Sequence, residues 1–477
     1  MTSDGRTRPR RRIVRNPPAA VGPARGIDRC CSSQNLTWIG TRRDRNPYPA
    51  RCWSHGATDR SLGRAHKIAA SVGPYCPESG RWVPLAQHSC HPAALRQAVG
   101  GGFRPPEPVC EDLSVTTTAQ LDPYDAVILV SFGGPEKPED VVPFLRNVTR
   151  GRGIPDERLE VVGEHYYRFG GRSPINDQCR ELIAALRTEF DARGIATPIY
   201  WGNRNWDPYL ADTLHRIGAD GHRRVLAITT SAYPSYSSCR QYRENLFDAT
   251  RGTALQVDRI RQYADHPGFV AASVDAVSTG LDRLATDGVD TERTRLVYVT
   301  HSIPAAMSEA SQRATRGYVS WHRTVMAEVT RQVSARLGTD YQADLVYCSR
   351  SGAPGQPWLE PDVNDHLKSL AGQGIGSALL VPIGFISDHM EVIYDLDTEA
   401  AETAEELGLD FVRADTAGVH PAFIRGLVDL ALERAGAARG QRPDQSVIAG
   451  GEIGAYECPA DCCLNLRDPD RPALCQR

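Results

Sequence analysis

From Tyr124 onward the chain repeats one pattern: a short apolar run, a turn, and a stretch with helical spacing. AVILVSF (126–132) runs into Gly133, Gly134 and Pro135. Further runs are PIYWGN (198–203), RRVLAITTSAY (223–233), RLVYVTHSIP (295–304), ADLVYCSR (343–350) and SALLVPIGF (377–385). Helical patterns such as NDQCRELIAALRTEFDARG and YVSWHRTVMAEVTRQVSARLG lie between them. A near-continuous apolar run suits a strand covered on both faces, and alternation with helices places such strands in parallel sheets. The expected fold class is α/β, in two similar halves at about 122–265 and 266–436, with a tail at 437–477. In open parallel sheets functional residues gather at the carboxyl ends of strands. Here those ends carry Ser131 and Phe132, Ser231 and Tyr233, His301 and Ser302, Ser349 and Arg350, and the segment from Asp388 to Glu391.

The charge is distributed unevenly. Residues 1–110 hold 18 Lys+Arg and 6 Asp+Glu, a net of +12, so the whole-chain charge of −3 leaves −15 for the remainder. The first block is rich in Arg, Pro, Gly and Ser and lacks sustained apolar periodicity. Such a segment buries too little to offset its ordering entropy. Residues 1–115 are therefore expected to be a disordered basic extension or an over-long start, rather than a nucleic-acid arm or transit peptide. Their six cysteines (Cys30, Cys31, Cys52, Cys76, Cys90, Cys110) show no repeated metal spacing and read as incidental. No run reaches the ~18 apolar residues that span a bilayer, and no signal-type apolar core follows the first arginines. The expectation is a cytoplasmic protein with no transmembrane segment and no nucleic-acid partner.

Within PIGFISDHMEVIYDLDTEA (382–400), Glu391, Asp395 and Glu399 are four residues apart, with no Lys or Arg between Asp388 and Glu399. On a helix such a row shares one face and repels by roughly 0.2–0.5 kcal/mol per pair. A helix start explains Asp388 and Glu391, because carboxylates favour the first turn, but not Glu399. If His301 opens on the same cleft, imidazole and carboxylates together can accept protons and guide a hard or borderline divalent metal. The Gly-rich turn YRFGGRSPIN (167–176) offers Arg168, Arg172 and Ser173 as donors to a carboxylate or phosphate. SFGGPE lacks the spacing of a nucleotide loop and reads as a structural turn. In the tail, Cys458, Cys462, Cys463 and Cys475 suggest zinc or iron–sulfur in a reducing compartment; their spacing does not choose between the two.

Taken together, VTHSIP, PIGFISDHMEVIYDLDTEA, YRFGGRSPIN, SYSSCRQYREN and SRSGAPGQPWLEPD resemble the ferrochelatases, more narrowly the actinobacterial coproporphyrin III ferrochelatases, over about residues 122–436 plus the cysteine tail. The resemblance implies two Rossmann-like, chelatase-type domains clasping a porphyrin in the cleft between them, and insertion of Fe²⁺ in haem biosynthesis. It implies His301 and Glu391 as the catalytic, metal-binding pair, with Asp395 and Glu399 continuing a metal path in a segment containing a π-turn. Phe132 and Tyr233 become wall candidates, with Tyr236, Trp321 and Trp358 beside them, and Arg168, Arg172 and Ser173 the porphyrin's carboxylate donors. It also points to a [2Fe–2S] cluster on Cys239, Cys458, Cys462 and Cys463, with Cys475 as the substitute. Phe132 stands where some relatives carry Tyr or Met, and Cys348 where Gln is expected. The implied partners are a porphyrin and ferrous iron, with room for a transient contact with the next haem-pathway enzyme. Alternative readings are a cobalt or nickel chelatase for another tetrapyrrole, or a porphyrin-binding iron–sulfur carrier or sensor, which would not need the His–Glu pair.

Overall fold

The structure, a computed structural model, describes residues 121–352 and 355–475. The basic extension and its six cysteines lie outside the described residues. Eight strands form two four-stranded sheets. β1 (Ala126–Ser131), β2 (Ile199–Asn203), β3 (Arg224–Thr229) and β4 (Gln256–Arg259) form the first, in the order β2-β1-β3-β4. β5 (Arg295–His301), β6 (Ala343–Cys348), β7 (Ser377–Val381) and β8 (Asp410–Arg413) form the second, in the order β6-β5-β7-β8. Every pairing is parallel. The α/β expectation holds, and the two sheets repeat one topology.

The repeat extends to register. Ala126 pairs with Val225 as Arg295 pairs with Ala378, and Ala227 with Arg259 as Leu380 with Arg413. Stepping along the strands makes Ser131 the counterpart of Thr300, Phe132 that of His301, and Arg259 that of Arg413.

The apolar runs are continuous because both faces of each sheet are covered. Val127 and Leu129 of β1 enter the largest core cluster, together with Leu296 and Tyr298 of β5. Ala126, Ile128 and Val130 face a second cluster with Leu210, Leu214 and Ile217, whereas Val297 and Val299 face a third with Leu367, Leu370 and Val392. Each buried Val, Leu or Ile side chain contributes ~1.5–3 kcal/mol relative to exposure. β4 and β8, four residues each, are edge strands with polar residues at both ends, QVDR and DFVR.

The connection between the halves is the helix Pro267–Thr286. His266 caps it by accepting from Gly268 N (3.0 Å), and Pro267 occupies its first turn, where no backbone donor is needed. Its start crosses the last helix, Pro421–Ala438, closely enough that a Cβ on Gly268 would lie 2.4 Å from the Ala422 carbonyl oxygen. Any larger residue there would force the helices apart. None of the described helices is long and apolar enough to cross a membrane.

Candidate active site

β5 runs out at His301, whose Nδ1 is hydrogen-bonded to the Ser302 carbonyl. A carbonyl only accepts, so Nδ1 carries the proton, and Nε2 of the neutral ring is the free lone pair. Nε2 stands 3.6 Å from Glu391 Oε1. The two side chains are 32% and 48% exposed, so both can be reached from solvent. Burial works against the imidazolium, yet the Glu391 carboxylate outweighs it and lifts His301 to about 9. Glu391 is held down at about 2 against its own burial, chiefly by His301.

Glu391 owes its position to a local cap. His389 has extended backbone and accepts from Glu391 N (3.2 Å) through Nδ1, starting the helix Met390–Tyr394. That helix lasts five residues before the chain widens into a π-turn, Asp395–Ala400, and resumes as Ala401–Leu407. The π-turn is the one that the resemblance implies for this segment. Glu391, Asp395 and Glu399 remain electrostatic neighbours: burial first, then Glu391 and Glu399, lift the Asp395 carboxyl to about 7 despite a hydrogen bond from Ser349. Ser349 has φ of 62°, a left-handed conformation costly for a non-glycine residue. The other two acids of the segment are neutralised by Arg413, whose Nη1 donates to Asp388 (3.2 Å) and Nη2 to Asp397 (2.9 Å).

The first half faces this row with the helix Asp156–Tyr167. His165 stacks on Tyr394 with centroids 3.7 Å apart, and Arg168 sits over the same ring at 5.7 Å. The Tyr166 hydroxyl is raised above its ordinary range, mainly by burial, then by Glu391 and Asp395. Arg168 pairs with Glu402 (3.3 Å) and Arg172 with Asp177, all of them exposed, so a ligand carboxylate can compete for either arginine. Phe132 packs edge-on against Phe144 (6.2 Å) under the Arg204 guanidinium (5.5 Å). Two candidates are not brought to the rim. Ser173 is buried against the Gly134 turn, and Tyr233 is buried and stacked on the buried His322 at 3.5 Å. Tyr166 and Arg413 escaped the sequence reading; Ser349 and His389 carried a strand-end signal but were given no role there.

The cysteines meet on the equivalent crossover of the first half. There too the third strand leads into a π-turn, Tyr236–Arg240, which carries Cys239. Cys239, Cys458, Cys462 and Cys463 are buried, Cys475 is half-buried, and all five are free thiols. Cys462 and Cys463 sulfurs lie 3.9 Å apart, and Cys458 N donates to Cys475 O (2.8 Å). Two fully buried arginines clamp the tail by its carbonyls. Arg240 donates to Ala460 O (2.5 Å), Cys462 O (3.4 Å) and Arg471 O (2.8 Å), and Arg243 to Leu474 O (2.7 Å) and Cys475 O (3.3 Å). Among the described residues no three His, Cys, Asp or Glu side chains converge as a ready-made metal-ligand set.

The ferrochelatase family model matches residues 124–435. The chain is 51% identical over 354 residues to the coproporphyrin III ferrochelatase of Streptomyces coelicolor, covering 72% of this chain and 93% of that one. It is 48% identical over 371 residues to that of Leifsonia xyli (74% and 94% covered), and 47% over 362 residues to the ferrochelatase of Rhodopirellula baltica (75% and 97%).

Proposed function

The chain belongs to the ferrochelatase family of metal-inserting lyases, and from that premise we propose that it inserts Fe²⁺ into coproporphyrin III in haem biosynthesis, in the cytoplasm. The observation that carries this reading is the open His301–Glu391 pair, Nε2 to Oε1 3.6 Å, backed by Asp395. Insertion expels two pyrrole protons, so an acceptor must stand at the ring face. At rest His301 and Glu391 form an ion pair, and the imidazole is already protonated. Fe²⁺ arriving along Glu399 and Asp395 takes over as the counter-charge of Glu391. The imidazolium then loses the partner that held its proton and releases it to the solvent-facing rim. Neutral Nε2 next accepts a pyrrole proton and, after exchange with water, the second. Oxygen and imidazole ligands allow the iron to shed its waters stepwise, which a closed thiolate cage would not. Arg168 and Arg172 take the porphyrin's carboxylates by exchanging out Glu402 and Asp177, and Phe132 supplies an apolar wall.

Anaerobic incubation with Fe²⁺ and either coproporphyrin III or protoporphyrin IX, followed by absorbance, tests the reading. Coproporphyrin III is expected to be metallated with at least tenfold higher kcat/KM. Preference for protoporphyrin IX would overturn the substrate, and inertness toward both would overturn the activity.

The tail pocket is read as the seat of a [2Fe–2S] cluster held by Cys239, Cys458, Cys462 and Cys463, with Cys475 in reach as an alternative. The donor set fits: thiolates are the ligands such clusters take, and a buried guanidinium, Arg259, lies 3.2 Å from Cys458 Sγ. When bound, the cluster supplies one-electron redox chemistry and a cross-link from the tail to the first half. Two irons and two sulfides per chain, lost in Cys239→Ser, are the expected analysis; one zinc without sulfide would replace the cluster by a structural zinc site.

A further inference from the structure

Arg259 and Arg413 close the edge strands of the two sheets at the same register position. Each donates through Nη1 to the carbonyl of the following residue at 3.2 Å, Ile260 and Ala414 respectively. There the likeness ends. Arg413 is neutralised by Asp388 and Asp397 from the crossover of its own half. Arg259 is only 4% exposed, and among the described residues no carboxylate lies within ion-pair distance of it. Its Nη1 also reaches Gln262 Oε1 (3.2 Å), its Nε has no hydrogen-bond partner, and its Nη2 donates to Cys458 Sγ at 3.2 Å. A guanidinium does not shed its charge, and a buried one demands an anion. Sulfur fills the place that carboxylates fill in the other half.

We propose that Arg259 is the built-in counter-charge of a thiolate-bound [2Fe–2S] centre and sets its reduction potential. This rests on the cluster reading given above. Four thiolates, two sulfides and two ferric ions make a dianion, and one electron from an external reductant makes it a trianion with one iron ferrous. A guanidinium against a ligand sulfur stabilises the trianion more than the dianion, and so raises the potential. Arg259 is a positioning residue of a different kind from Arg240 and Arg243. Those two hold tail carbonyls, whereas Arg259 touches the tail through a sulfur atom, so replacing it leaves the clamp intact.

The test is a dithionite titration of anaerobically purified full-length protein, followed by visible absorbance and electron paramagnetic resonance, alongside iron and sulfide analysis. Arg259→Gln is expected to lower the midpoint potential so that the oxidised-to-reduced ratio at the wild-type midpoint rises at least tenfold, 59 mV for one electron. Arg259→Lys, which keeps the charge, should shift it by less than half as much. A loaded Arg259→Gln protein with an unchanged midpoint would overturn the role of Arg259 and leave the cluster standing. If Arg259→Gln does not load, Arg259→Lys decides: a loaded cluster near the wild-type potential supports the counter-charge, and an empty pocket there overturns it. Wild-type protein without iron and sulfide would overturn the cluster and this inference together.

Discussion

The two halves share strand order and register, and differ at the few positions where a strand ends or a crossover begins. Phe132 and His301 are counterparts, and one is an apolar ring where the other is a base. The crossover after the third strand forms a π-turn in both halves; it carries a cysteine in the first and carboxylates in the second. The arginine closing the edge strand meets sulfur in one half and two aspartates in the other. A repeated scaffold therefore supplies places rather than chemistry, and the residue at each place decides whether that half presents an apolar ring, an imidazole beside carboxylates or a cluster of thiols.

The largest effect that would break this contrast is at the reacting pair. His301→Ala and Glu391→Gln are each expected to lower kcat about thousandfold, within the range for a lost general base, while porphyrin affinity measured by fluorescence quenching changes less than about threefold. Near-normal turnover at saturating iron in either variant would move the chemistry elsewhere. Next comes Arg413→Met, which leaves Asp388 and Asp397 without their cation. A loss of about 2 kcal/mol is expected, read as a melting temperature lower by roughly 4–8 °C.

A pH profile sharpens the comparison further, because the first half has no counterpart of Asp395. Its folded-state value of about 7 exceeds the ordinary 3.8, so the native chain holds this proton more tightly than the unfolded chain. Its contribution to stability is full below about 3.8 and is lost as pH rises through about 7. Iron must displace the same proton, so the KM for Fe²⁺ should rise up to about tenfold per unit as pH falls below 7. Asp395→Asn should flatten that slope; an unchanged slope would exclude Asp395 from the path. The smallest effect is expected at the counterpart of the base: Phe132→Leu keeps an apolar wall and should change kcat less than about threefold.

Six of the eight strands were legible in the sequence because central parallel strands are apolar on both faces. β4 and β8 were missed, since four-residue edge strands reading QVDR and DFVR carry no such run. The same blind spot hid Arg259 and Arg413, which close those strands. His301 and the acidic row were legible from position and spacing, and the tail cysteines from their clustering, whereas Cys239 was singled out only through the resemblance. Tyr233 shows the limit of strand-end reasoning, since a residue can follow a strand and still be buried, and Ser173 shows that a polar residue in a Gly-rich turn can be buried too. Ser349 was legible as a strand-end residue, but its bond to Asp395, 46 residues away, and the closeness of Tyr166 to Glu391 and Asp395 are relations that no local pattern encodes.

The arginine clamp on the tail also has a consequence for how this protein is made. The last strand of the first sheet ends at Arg259, yet Arg240, Arg243 and Arg261 find their acceptors at Ala460, Leu474 and Glu433. A chain emerging from the ribosome therefore completes its first sheet with Arg240 and Arg261 met only by the nearby carboxylates of Glu244 and Asp265, and the acceptors that complete the three guanidiniums follow 172 to 231 residues later. Until then that half stays wet at the places where it will later be dry, and its seam closes last, after the second half has already been translated. The order of synthesis leaves the surroundings of Cys239 open until Cys458, Cys462 and Cys463 have been made.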